Sequence, residues 1–172
     1  MSFFKKLFGG REVLTADKFY SSSVLSYKSL TQDLSNSPLT KEMKYSKSEV
    51  LLFVASIQIA TYFSFVNNTD KLLVKNFIHL VGNKMSEQNN YSSAQLREFF
   101  LHFDEVIMSY CPHVEEHYKL STSTQPSLKH VYTLTDEFIN ICLPPNPSPI
   151  YKPQLIVAIG NLLVTCPRQL LT

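Results

Sequence analysis

Between Glu49 and Asp70 the chain runs for 20 residues, Val50–Thr69, without a single charge. A helix that is apolar on every side has no face to give to water, so other helices or lipid must enclose it. Ser46-Lys-Ser-Glu49 just before the run has capping-box spacing, in which a serine and a glutamate three residues on satisfy each other's free backbone amides. The spacing predicts a helix from Ser46 to about Val66. Its apolar part, Val50–Val66, is close to the lower limit for crossing a bilayer and contains Ser56, Gln58, Thr61 and Ser64. A core helix accommodates those polar groups when they find partners, and lipid offers none. The reading is a buried central helix; a single membrane span through Val50–Val66 is the alternative.

The remaining sequence has the composition such a core needs. At 172 residues with 44% hydrophobic and 17% charged side chains, the chain is long enough for one sizeable core. A net charge of +2 argues against a nucleic-acid partner, and Arg97–Glu116 carries one base against five acids, the opposite of a basic stripe. Four glycines, at 9, 10, 82 and 160, cannot assemble a phosphate-cradling loop, so no nucleotide partner is expected. Cys111, Cys142 and Cys166 are odd in number and form no CxxC pair, which suits a reducing compartment. With no visible secretory signal in the first residues, the expected location is the cytoplasm.

Breakers divide the chain into helical segments. Thr15 caps a helix to about Leu34, stopped by Asn36-Ser37-Pro38, although Ser21-Ser22-Ser23 weakens it because short hydroxyls compete for the backbone. Thr69 caps a helix over Asp70–Val81 with Gly82 at its end, and Ser86–Asn90 reads as a loop. Ser92-Ser-Ala-Gln95 repeats the capping-box spacing, and apolar residues at 96, 99, 100, 103, 107 and 110 form a one-sided stripe until Pro112 ends or kinks the helix. A short turn to Leu120, a helix over Ser127–Leu143, a stiff proline connector at 144–153 and a last apolar helix from Pro153 to Cys166, stopped by Pro167, complete the chain. The expected fold is all-α: a single antiparallel helical bundle of about five main helices (residues 14–172) with a short N-terminal amphipathic segment (residues 1–10). Phe77, Phe99, Phe100, Phe103 and Phe138 are expected in its core.

Two local patterns suggest function. In the N-terminal segment Phe3, Phe4, Leu7 and Phe8 gather on one helical face and Lys5 and Lys6 take the other, the pattern of an interfacial anchor on an anionic membrane. Burying such side chains contributes about 1.5–3 kcal/mol each, reduced by partial insertion and by ordering of the segment. Docking of a partner, docking onto the chain's own bundle and a disordered leader are the other readings. The second pattern is Cys111-Pro-His113-Val-Glu-Glu116-His117, where His113 and His117 have the spacing to share a metal on one helix face. Its five letters H-V-E-E-H resemble the H-x-x-E-H pattern of inverted zinc peptidases, which implies zinc at the histidines and Glu116 as general base on the bound water. The resemblance covers those five residues only. A third ligand would come from His130, Asp136, Glu137 or Cys142. Against this stands a solvated helix face that carries two histidines and two glutamates. His102, between Glu98 and Glu105, reads as a surface ion pair, and Pro144-Pro-Asn-Pro147 as a spacer.

These patterns lead to a non-enzymatic, cytoplasmic protein-interaction or adaptor module without cofactor. Its partner is another protein, and its N-terminus reaches the inner face of a membrane. The alternative from a different class is a small zinc-dependent enzyme or metal-binding protein using His113, Glu116 and His117.

Overall fold

The computed structural model describes residues 14–66, 70–120 and 128–171. Among the described residues there are six α-helices and no strand: α1 (Ala16–Asn36), α2 (Lys47–Phe65), α3 (Lys71–Asn89), α4 (Ser93–Leu120), α5 (Lys129–Cys142) and α6 (Lys152–Leu171). A single 3₁₀ turn, Pro149–Tyr151, leads into α6. The expected N-terminal amphipathic segment lies outside the described residues.

The helices alternate in direction. Phe19 meets Tyr62 and Ser22 meets Gln58, so α1 runs antiparallel to α2. Glu49 faces His102, Phe53 faces Tyr110 and Thr61 faces Tyr118, which sets α4 parallel to α2. His130 of α5 lies beside Glu116 at one end, while Cys142 accepts a hydrogen bond from the Ser46 amide at the other. Ser26 beside Cys166 and Asp33 beside Asn161 place α6 antiparallel to α1. Neighbour contacts α1–α3, α3–α4, α4–α5, α5–α6 and α6–α1 close a ring, and α2 touches all five of its members. This is the helical bundle expected, with the apolar helix as its axis.

Enclosure explains the composition of α2. Every residue from Leu52 to Tyr62 is buried. The hydroxyls of Ser56, Thr61 and Ser64 bond back to the carbonyls of Leu52, Ile57 and Ala60 at 2.7–2.8 Å, so they enter the core already satisfied. Phe53 packs edge-on to both Tyr110 and Phe138, with ring centroids 5.2 Å apart in each pair. Of the five phenylalanines expected inside, Phe77, Phe99, Phe103 and Phe138 are buried, and Phe100 is half-buried.

Several boundaries differ from the sequence reading. Asp70, not Thr69, caps α3, accepting from the amides of Leu72 and Leu73. The helix passes through Gly82 and ends at Asn90, whose φ of 54° is the left-handed turn asparagine tolerates. Gly82 is there for packing: a Cβ at that position would lie 2.5 Å from the Phe100 ring. α4 continues through Pro112 to Leu120, and α6 continues through Pro167 to Leu171. An interior proline costs about 3 kcal/mol, yet buried Tyr110 and Val114 flank the first, and buried Cys166 and Leu170 the second. Burial on both sides of each proline holds the helix together. Ser92 and Gln95 make both bonds of the capping box, at 2.8 and 3.3 Å. The Ser46–Glu49 box is only half formed: Ser46 accepts from the Glu49 amide, while the Glu49 carboxylate lies 3.9 Å from His102 Nε2.

Candidate functional site

Pro112 does not interrupt α4, so His113, Glu116 and His117 project from one continuous helix toward the start of α5. The seam is organised around His130, whose side chain is 5% exposed. Its Nε2 lies 3.0 Å from Glu116 Oε2, and its Nδ1 lies 3.5 Å from His113 Nδ1. A neutral His130 that donates Nε2–H to the carboxylate presents Nδ1 as an acceptor to His113. The structure thus gathers His113 and Glu116 onto His130. His117 packs edge-on to the ring of Tyr118, centroids 5.4 Å apart. Burial, then the neighbouring His130, lowers its pKa from the ordinary value of 6.5. Among the described residues no group of three or more His, Cys, Asp or Glu side chains is placed to hold a metal ion. The adjacent acids are splayed as helix geometry requires: Glu115 pairs with Lys119 at 2.7 Å, away from the Glu116–His130 contact.

The thiols are poorly placed for nucleophilic chemistry. Cys111 is pushed up to about 11 by burial and then by Glu115, and Cys166 to about 12 by burial despite hydrogen bonds from Ser26 and Gln58. Burial, then Glu49, raises Cys142 as well. At neutral pH all three are protonated, and the thiol is not the nucleophilic form. Phe3, Phe4, Lys5, Lys6, Leu7 and Phe8 lie outside the described residues.

A different feature was missed in the sequence. Phe19 and Phe77 stack with centroids 4.2 Å apart and planes 11° from parallel, which joins α1 to α3 near the start of α1. Beside this stack, from Tyr20 to Lys28 along α1, a cleft of about 410 Å³ opens between the two helices, and the first turns of α2 form its floor. Tyr20, Val24, Tyr27, Leu51 and Met85 make an apolar bed, and Lys28, Lys47, Ser48, Gln88 and Asn89 make a polar rim. Its volume is in the range of ligand-binding clefts. Two cations line it and no acid does. Neither Lys28 nor Lys47 has an ion-pair partner among the described residues. Burial, then Tyr45, raises the Tyr27 pKa, so that phenol stays protonated. A second hollow of about 330 Å³ at the start of α4 carries Arg97 and Asp104, one charge of each sign, and so has no electrostatic preference.

The one sequence signal for the cleft is the spacing of Tyr20, Val24 and Tyr27, a stripe beside the Phe19, Ser23, Ser26 and Leu30 face that turns inward. No family model, no curated protein and no solved structure matches this chain.

Proposed function

We propose that this protein is a non-enzymatic interaction module, a helical adaptor that works in the cytoplasm and docks a protein partner. The observation that carries the reading is the cleft between α1 and α3. Its apolar bed is left open by the helices that enclose the centre of α2, and its two lysines offer charge that the described residues do not neutralise. The protonated thiols and the His113–His130–Glu116 seam, which assembles no three-ligand set among the described residues, lend no support to the enzymatic alternative. The N-terminal segment adds a membrane-peripheral role: Phe3, Phe4, Leu7 and Phe8 against Lys5 and Lys6 match a surface anchor.

One cellular experiment tests both parts. A photo-crosslinking residue is placed at Val24 in the cleft, or at Met108, which is 74% exposed on α4. Cells expressing full-length protein or a chain lacking residues 2–8 are irradiated and fractionated, and the membrane pellet is washed with carbonate. The expected outcome is a protein adduct of defined mass from Val24 and none from Met108, with a washable membrane fraction only for the full-length chain. Equal adducts from both positions would refute cleft docking. Identical fractionation of the two chains would refute the anchor, and carbonate resistance in both would favour a membrane span.

A further inference from the structure

We infer that the α1–α3 cleft receives an acidic amphipathic helix from the partner protein. This rests on the interaction reading above and gives the partner a chemistry. The cleft walls are helices, whose backbone amides and carbonyls are committed to their own ladders. An extended peptide would find no edge to extend, so main-chain pairing is ruled out as the recognition mode. A groove between helices is filled by side chains from a third helix, spaced i and i+4. Along α1 the wall runs from Tyr20 to Lys28, about 12 Å at 1.5 Å per residue, or two turns of an incoming helix.

Charge complementarity selects the sign. The bed of Tyr20 and Val24, with buried Met85 behind it, gives way to Lys28 and Lys47 at one end, beside the amino terminus of α2. The first turn of α2 lies beside the last turn of α3, whose Gln88 and Asn89 also line the cleft, so the two helix ends oppose each other and the positive charge comes from the two ammonium groups. Glu49, the acid in the same turn, is directed to His102 of α4 on the other side of α2. A partner helix therefore sets apolar side chains against the half-buried Tyr20 and Val24, and an acid one or two turns further on against Lys28 and Lys47. Because both lysines are exposed, the attraction is screened by salt, with a Debye length of about 8 Å at physiological ionic strength.

The test uses a displayed library of helical peptides of about 16 residues with randomised surface positions. It is selected against the full chain and against its Lys28→Glu/Lys47→Glu and Val24→Asp variants, all first shown by circular dichroism to be folded. The expected result is enrichment of net-negative helices with apolar residues at i and i+4. These should bind the lysine-reversal variant at least about tenfold more weakly and lose affinity as salt rises. Enriched helices that are neutral or basic, or that bind the reversal variant equally, would overturn the acidic-helix assignment. If those same helices were still lost with Val24→Asp, the interaction reading would stand. No enrichment sensitive to Val24→Asp would overturn both.

Discussion

Gln58 lies at the centre of the most apolar helix, fully buried, with both ends of its amide in use. Ser22 donates to its Oε1 at 3.2 Å, and its Nε2 donates to Ser26 at 2.7 Å. Ser26 in turn reaches Gln169 and lies 3.7 Å from the Cys166 sulfur. One side chain of α2 thus ties α1 and α6 together through groups whose partners are all supplied. Ser22, one of the three serines that weaken α1 as an isolated helix, joins Ser26 in fixing its place in the bundle. Replacing Gln58 by leucine keeps the volume similar but leaves Ser22 without its acceptor, and a buried polar group left unpaired costs about 1–3 kcal/mol. Urea unfolding of Gln58→Leu should show a loss of that size, partly regained when Ser22→Ala and Ser26→Ala are added. A Gln58→Leu protein as stable as the parent would mean the network contributes nothing.

At the scale of elements, the α4–α5 seam links folding to pH. In the unfolded chain His117 titrates at its ordinary 6.5, and in the folded chain its pKa is lower, through burial and then His130. The unfolded state therefore binds more protons in the window between the two values. The contribution of His117 to stability is complete above about pH 6.5 and declines as pH falls toward its lower folded pKa. Urea midpoints at about pH 7.5 and 5.5 should differ more for the parent protein than for His117→Gln. Equal differences would exclude His117 as a source of the acid sensitivity.

The same elements show what local sequence can and cannot specify. Helix starts were legible to within a residue or two, Asp70 in place of Thr69 being one miss, because a cap is a bond between nearby residues: Thr15 accepts from Lys18, and Ser92 and Gln95 bond reciprocally. Helix ends were less so. Gly82, Pro112 and Pro167 are local stop signals overridden by packing from distant residues, Phe100 against Gly82 being the plainest case. At the seam, the shared face of His113, Glu116 and His117 was readable. The group that organises it, His130, comes from the next helix and was legible only as one candidate ligand among four. The cleft left only the stripe of Tyr20, Val24 and Tyr27, which carries the same signature whether a helix covers it or leaves it open.

At the scale of the whole molecule, five helices ring a sixth among the described residues, and the charge-free sequence of the sixth follows from that position. By length and composition α2 is also apolar enough to cross a membrane. In the structure that apolarity faces the surrounding helices from Leu52 to Tyr62, and is open at Lys47, Ser48 and Leu51 beneath the cleft and at Phe63, which is exposed at the far end. Amides enclosed on all sides exchange with solvent only when the bundle opens globally, whereas those at an open face exchange through smaller fluctuations. Native-state hydrogen exchange resolved by residue along α2 is the most direct test of this arrangement. The account predicts that Leu52–Tyr62 exchange at the slow global rate while Ser48–Leu51 exchange faster. Uniformly fast exchange along α2, or a first turn as protected as the centre, would contradict a closed ring breached at the cleft.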